Sequence, residues 1–359
     1  MKNLIILLIN MKFENKLSMK NSKSILMVVA KYPATAGHTS VINYLCKELN
    51  NLGYKTAIGA FSFEDEPPFN IRKVTLSKKK LLTSGISYLD FDIIHPHQAR
   101  VLYYLLTKNP KKPVVFHYHG ASNKIQEINF KIAMSRYKNK ISKIISVSGT
   151  GVTQMKKMVK DISADVVFNG VDSQSFNPDL PQTYRKGTPQ LLFVSQLRKY
   201  KKTKTLIDSM PKILKEFPNA HLQIVGDGED FSLLNSNIKE KNLDDRVTLV
   251  GNIDHDKLKF YYSSCDVYIS ASTFEVCPVP TLEAMSCGKP LVLFDIEPHT
   301  EIITASNAGK IFSNSNEISK VLKNVFENKN ILSTHARKFG QEHDWKNIAK
   351  KISIIYEKL

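Results

Sequence analysis

The chain has 359 residues, more than a single hydrophobic core ordinarily sustains, so two domains are expected. With 42% hydrophobic and 23% charged residues and only 15 glycines and 15 prolines, the composition excludes a disordered, collagen-like or low-complexity chain. A formal net charge of +18 implies anionic surroundings, whether polyanion, anionic lipid or phosphorylated small molecule.

The chain begins MKNLIILLINMKFENK, where the apolar run Leu4 to Ile9 is too short to span a bilayer and shorter than a secretory core. Residues 1–18 are therefore expected to be a dispensable extension, with a weak membrane-contacting tail as the alternative. From residue 24 onward, short β-branched runs alternate with amphipathic stretches, the pattern of βαβ units and a parallel sheet. Strands are predicted over 24–30, 56–61, 92–97, 114–119, 143–148 and 166–171. A helix between the first two places Val41, Leu45, Leu49 and Leu52 on one face, with Gly53 as its carboxyl cap. FNPDLPQTYRKGTPQ lacks periodicity and is rich in turn formers, which marks a linker near 172–189. Strands resume over 191–197, 221–226, 247–251, 267–272 and 290–295, giving a second doubly wound domain.

Basic residues concentrate in the first half, in IRKVTLSKKKLL, KNPKK, SRYKNKISK and QMKKMVK. A solvated face is the ordinary reading of such runs. Zinc-finger spacing, an aromatic-rich basic strand and a helix-turn-helix pattern are all missing, so nucleic acid is not expected as a partner. Peripheral contact with anionic membrane at the inner face of the cell membrane is the better functional reading. The four cysteines, Cys46, Cys265, Cys277 and Cys287, show no CxxC spacing and no adjacent histidine cluster, which fits a reducing, cytoplasmic setting.

Parallel sheets bind ligands beyond the carboxyl ends of their strands, and here those ends carry the unusual polar residues. After 191–197, RKYKKTK sets four lysines and an arginine where they could hold a diphosphate, although a solvated helix start reads equally plainly. FEVCPVP then leads into TLEAMSCG, a helix with Pro280 near its start and Gly288 past its end, whose first N–H groups suit an anion. Glu275 and Glu283 flank that start; taken singly, one is a loop charge and the other a carboxylate near a helix start. GDGE at 226–229 lacks the third glycine of a nucleotide fingerprint and reads better as a tight turn. His95, His97, His117 and His119 follow neighbouring strands with no carboxylate or cysteine at ligand spacing, so no metal is expected. A single working histidine, His119 before Gly120, fits better, able to donate a hydrogen bond or accept a proton near neutral pH.

In their order these segments resemble the family 4 glycosyltransferases, retaining enzymes of the GT-B fold, over nearly the whole chain from about residue 24. KYPATAGHTS, the HxH at 95–97, HYHG, VFNGVDSQSFNP, SQLRKYKK, IVGDGED, VGNI, YYSSCDVYISAS and the E-x7-E segment with LEAMSCGKPLV carry the likeness. The resemblance implies two Rossmann-like domains facing each other across a cleft: 1–185 for the acceptor, 186–344 for a nucleotide-sugar donor, and a final helix over 345–359 crossing back. It implies that Glu283 holds the ribose, Glu275 contacts the transferred sugar, and His119 lines the reacting centre. Lys201 would neutralise the diphosphate with backbone N–H groups near Val279, Pro280 and Thr281, Gly37 would let its loop approach the phosphates, and the segment ending at Ile253 would read the base. The implied reaction moves a hexose-type sugar to a glycan or lipid-linked acceptor without a required cofactor. The basic motif departs from the family's pattern at Gln196, where arginine is usual, and at Lys202, where glycine is; Arg198 or Lys202 would restore the charge. A nucleotide-sugar hydrolase or epimerase, or an inactive nucleotide-sugar-binding protein, stands as the alternative.

Overall fold

The computed structural model describes residues 23–34 and 37–359, so the segment 1–18 lies outside the described residues. The chain divides into two compact units, one running to Asn169 and taking in Trp345–Leu359, the other Gly170–Asp344.

In the first unit the strands are β1 (Ser24–Val28), β2 (Lys55–Ala60), β3 (Arg72–Thr75), β4 (Ile93–Pro96), β5 (Val115–Tyr118), β6 (Lys143–Ser146) and β7 (Asp165–Val166). The helices are α1 (His38–Asn51), α2 (Lys78–Ser84), α3 (Ala99–Leu105), α4 (Lys124–Tyr137) and α5 (Gly149–Met158). All pairings are parallel, in the orders β3-β2-β1-β4 and β5-β6-β7, and the bridge Ile94↔Val114 joins the two ladders edge to edge. Sequence pattern misses β3, because the strand is RKVT inside a basic run, exposed at three of its four residues, and shows no buried alternation. Helix α1 ends as its glycine demands: Gly53 at φ 92° donates to Asn50 O and Tyr54 N donates to Leu49 O, so two of the last carbonyls are satisfied.

The second unit has β8 (Gln190–Val194), β9 (His221–Val225), β10 (Val247–Gly251), β11 (Val267–Ser270), β12 (Leu291–Phe294) and β13 (Gly309–Phe312). Its helices are α6 (Thr203–Glu216), α7 (Phe231–Glu240), α8 (His255–Ser264), α9 (Val279–Ser286), α10 (Glu297–Ser306), α11 (Ile318–Glu327) and α12 (Lys329–Glu342). The sheet is parallel in the order β10-β9-β8-β11-β12-β13, extended by an edge strand, β13, that the sequence pattern does not reveal. The last helix, α13 (Trp345–Glu357), belongs to the first unit, where Trp345 stacks on Tyr44 of α1 at 6.0 Å.

The boundary falls after Asn169, which corrects the sequence division at 185/186 and the linker placed near 172–189. Those residues are tied into the second unit by polar contacts. Ser173 donates through N and Oγ to Asp344 at 3.0 and 2.6 Å, and Arg337 Nη1 donates to Phe176 O at 3.1 Å. Gln223 Nε2 donates to Tyr184 O at 2.7 Å, and Arg185 pairs with buried Asp266 at 2.7 Å. A segment without periodicity can still be fixed by hydrogen bonds, and its composition does not show them. Among the described residues, no helix is long and apolar enough to cross a membrane.

Candidate functional site

In each unit the strand order reverses once, between β1 and β4 in the first and between β8 and β11 in the second. At such a point neighbouring loops leave in opposite directions and open a crevice beyond the strand ends.

In the second unit the loop after β8 and the loop after β9 run together past the sheet. Ser195 N donates to Val225 O at 3.0 Å, Leu197 N to Asp227 O at 2.9 Å and Gly226 N to Gly251 O at 2.9 Å. This closeness explains GDG. A Cβ on Gly226 would sit 1.9 Å from Ser195 O and one on Gly228 2.3 Å from Leu197 O, at φ 131° and 157°. These glycines are required by two backbones in contact rather than by a turn alone. The loops wall a cavity of about 660 Å³ lined by Gln196, Gly226, Gly228, Asn252, Ile253 and Pro280 among others. Of the basic motif, Gln196 is exposed, Arg198 is half-buried, and Lys202 takes a left-handed conformation at φ 50°.

Lys201 lies at the end of a short 3-10 turn, Lys199–Lys201, and Glu275 on the loop after β11. Thr273 locks the two together, donating through N and Oγ1 to Tyr200 O at 2.9 Å each, while Tyr200 and Phe274 pack edge to face at 5.9 Å. Lys201 Nζ consequently donates to Glu275 Oε1 at 2.5 Å, with the two side chains only 14% and 13% exposed. The residues expected to serve leaving group and sugar separately thus form one ion pair.

Glu283 is buried in α9, and both its oxygens are engaged: His255 Nε2 lies 3.0 Å from Oε1 and the Tyr262 hydroxyl donates to Oε2 at 2.8 Å. His255 and Tyr262 are seven apart, two turns along one face of α8, and Phe176 packs edge-on against both rings. The hydrogen bond to Glu283 raises the His255 pKa above its ordinary value, against the lowering effect of burial. The Tyr268 hydroxyl of β11 donates to Val194 O at 3.4 Å, and burial first, then the charges of Glu275 and Glu283, push it well above its usual pKa. Sequence reasoning misses His255, Tyr262 and Tyr268; the seven-residue spacing of the first two is the available signal.

The start of α9 is a sparser donor than expected. Pro280 has no N–H, and Thr281 N donates to Pro278 O at 3.2 Å, which leaves Val279 as the remaining backbone donor of the three. At the other end Gly288 at φ 67° and Lys289 donate to Met285 O and Ala284 O, closing the helix as its glycine foretells.

In the first unit Gly37 caps α1 at φ 77°. Alternate residues of β4 and β5 face the same side, so four histidines stack. Ring centroids of His95 and His97 are 4.7 Å apart, of His97 and His119 5.2 Å, and of His117 and His119 4.5 Å; His38 leans on His119 at 4.6 Å. Nitrogens of His95, His97 and His117 lie within 4.8 Å of one another. Rings stacked at 15–29° present lone pairs side by side, whereas a metal needs them to converge at about 2.1 Å. His97 Nδ1 meets His119 Nε2 at 2.9 Å and its Nε2 meets Met27 Sδ at 3.4 Å. A thioether only accepts, so both contacts close when His97 donates to Met27 and His119 donates to His97, leaving His119 Nδ1 with its lone pair. Burial holds His119 well below the usual imidazole pKa, with the neighbouring rings adding to the effect. It is therefore a neutral donor and acceptor and not, as its position suggests, a group titrating near neutrality.

The family model described as Glycosyltransferase Family 4 matches residues 35–175, and that described as Glycosyl transferases group 1 matches residues 179–351. An uncharacterised glycosyltransferase of Methanocaldococcus jannaschii is 27% identical over 208 residues, 54% of this chain and 53% of the relative, so the chain spans about half that protein's length. The phosphatidyl-myo-inositol mannosyltransferase of Mycolicibacterium smegmatis is 24% identical over 302 residues, 81% of this chain and 75% of the relative. Among solved structures, Anabaena HepE in complex with UDP and glucose superposes with a TM-score of 0.77 at 18% identity, covering 94% of this chain and 100% of that one.

Proposed function

The chain belongs to the group 1, family 4 glycosyltransferases and has their GT-B fold, and from that premise we propose that it moves a hexose-type sugar from a nucleotide-diphosphate sugar to a glycan or lipid-linked acceptor, with retention of anomeric configuration. The observation that best supports a nucleotide-sugar donor is the setting of the second unit's switch point. A cavity of about 660 Å³ lies at the ends of β8 and β9, with the Lys201–Glu275 pair held on the loops after β8 and β11. HepE, whose structure holds UDP and glucose, shares the fold.

In the proposed mechanism the base lies against Ile253 and Asn252. Glu283, held rigid by His255 and Tyr262, accepts hydrogen bonds from the ribose hydroxyls with lone pairs its two partners leave free. The diphosphate takes Lys201 from Glu275, with the Val279 N–H, Arg198 and Gln196 as further donors. Positive charge placed before the reaction stabilises the leaving diphosphate as the anomeric bond breaks, the kind of preorganised field that supplies a large share of the rate enhancement in enzymes generally. Glu275, released from its lysine, turns to the sugar hydroxyls. His119, neutral and already donating to His97, accepts a hydrogen bond at Nδ1 from a hydroxyl of the transferred sugar, and Gly37, left-handed at φ 77°, lets the backbone at the start of α1 come close to the phosphates. Lys201 and backbone donors supply the charge a metal would bring, so no cofactor enters. The name of the mannosyltransferase relative and the basic first half support an acceptor at an anionic membrane surface, approached from the cytoplasm.

A thermal-shift series with UDP-, GDP- and ADP-sugars identifies the donor, since a ligand at a hundredfold its Kd adds about 2.7 kcal/mol of stability. Donor consumption is then followed with and without lipid-linked and soluble acceptors, and the anomeric configuration of the product is read by NMR. Stoichiometric donor loss without a transferred product overturns the transferase reading in favour of a hydrolase or epimerase.

A further inference from the structure

Helix α4 is apolar on two faces. Its inner face buries Phe130, Ala133, Met134 and Tyr137 in the core of the first unit. Its outer face carries Ile125, Ile128 and Ile132, which are 72%, 54% and 47% exposed. At spacings of three and four these isoleucines form one stripe. Among the described residues no other element carries even two exposed large hydrophobic side chains. Lys124, Lys131 and Lys138, spaced by seven, run in a line beside the stripe, and Glu127, the single acidic residue between 122 and 143, pairs with Lys124 at 3.3 Å. Lys140 and Lys143, which follow, are held by Leu106 O and by Asp165, so Lys131 and Lys138 are the main charges of the line.

We propose that this outer face of α4 docks the protein on an anionic lipid surface, with Ile125, Ile128 and Ile132 entering the headgroup boundary and the lysine line resting on phosphates. A helix with an apolar stripe edged by lysine lies in the interface plane of a bilayer, drawn by apolar burial and by charge together. Each rival occupant explains half of the surface. A nucleic acid would use the lysines and leave the isoleucines in water. A second copy of the chain would cover the isoleucines and set the same lysine lines against each other in a molecule of net charge +18.

The position of the helix in the chain gives the surface a use. α4 starts five residues after His119, and the intervening segment is pinned. Gln154 accepts from Ala121 N at 3.1 Å and donates to Ala121 O at 2.8 Å, and Asn123 caps the helix by accepting from Gln126 N at 3.0 Å. A membrane bound to the first turn of α4 therefore lies next to the strand end that carries the candidate reacting histidine. The inference rests on the membrane-surface acceptor proposed above and locates it.

The test is flotation of the full chain with phosphatidylcholine vesicles, with and without phosphatidylglycerol, in the absence of donor and acceptor. Wild type is expected to float with the anionic vesicles and to be released by salt. Ile125→Ser with Ile128→Ser, and separately Lys124→Glu with Lys131→Glu, are each expected to lower partitioning at least about tenfold, with the melting temperature and nucleotide-sugar thermal shift unchanged. Failure of wild type to bind anionic vesicles, or equal binding by both variants, overturns the proposal. A dimer in light scattering that the isoleucine variant dissolves, without vesicle binding, overturns it in favour of a second copy. Vesicle binding by a protein that transfers only to soluble acceptors keeps the surface and rejects the lipid-linked acceptor.

Discussion

Lys201 and Glu275 are 74 residues apart in sequence and share a hydrogen bond of 2.5 Å between two mostly buried side chains. A carboxylate already holding the cation is a competitor for any diphosphate that needs it. Lys201→Ala is accordingly expected to weaken binding of the free nucleoside diphosphate and to lower kcat by about 10²–10³-fold, as for loss of a main electrostatic stabiliser. Glu275→Gln removes the competitor, so the nucleoside diphosphate should bind at least as tightly as to wild type while turnover falls. Calorimetry beside steady-state rates separates the two variants; parallel losses of affinity in both would show that the pair acts only structurally.

Glu283 gives a different signature because its partners set its orientation. Glu283→Ala is expected to abolish measurable nucleotide-sugar affinity, and His255→Gln to weaken it about tenfold, the effect of losing one charge-assisted hydrogen bond. The pKa of His255 is raised in the folded chain, so its contact with Glu283 stabilises the fold fully below the unfolded imidazole value of about 6.5. That contribution fades as pH rises through the higher folded value. An NMR titration of the His255 ring should show a midpoint above the ordinary one, returning toward it in Glu283→Gln.

The stacked histidines act in the opposite sense. Burial lowers the pKa of His38 to about 4 and of His117 to about 3, and holds His95, His97 and His119 well below the ordinary range. Above pH 7 folded and unfolded rings are alike neutral. Below about pH 6.5 the unfolded chain gains protons that the folded one refuses, at about 1.4 kcal/mol per pH unit for each ring. Denaturant unfolding from pH 7.5 to 5 should show steep loss of stability, and His117→Gln should reduce the slope by about one proton.

Two glycines beside the cavity separate crowding from backbone strain. In Gly226→Ala the new methyl would meet Ser195 O at 1.9 Å, and stability is expected to fall by about 3 kcal/mol or more. Gly251 is also left-handed, at φ 80°, but has no atom within 4 Å of a Cβ, and Gly251→Ala should cost only about 1 kcal/mol. Thermal melts of the two variants give the comparison.

The elements most legible in the sequence are those whose signals are local. Gly53 and Gly288 end their helices with the bonds their position predicts, and the buried runs of β1, β8 and β11 read directly as strands. The edge strands β3 and β13 escape notice because they are not buried on both sides, so neither alternation nor an unbroken apolar run marks them. The site is legible as positions but not as contacts. Nothing in the spacing of Lys201 and Glu275 says that they meet, because Thr273 and Tyr200 bring them together through backbone bonds. Nor does Glu283 announce His255 and Tyr262, whose reach depends on how α8 packs against α9. The end of the first unit is misplaced by sequence for the same reason: Ser173, Tyr184 and Arg185 are held by long-range hydrogen bonds that composition does not record.

The second unit begins and ends at one place. Val171 bridges Asp344, Val171 N donates to His343 O at 3.0 Å, and Ser173 binds the Asp344 carboxylate. Its two ends are thus stapled side by side, so the segment Gly170–Asp344 is an insertion whose stem is closed from within. Such a closed stem gives the second unit the character of a cassette: expressed alone as residues 170–344 it is expected to fold, and opening it elsewhere by circular permutation should keep the contacts that seal its ends.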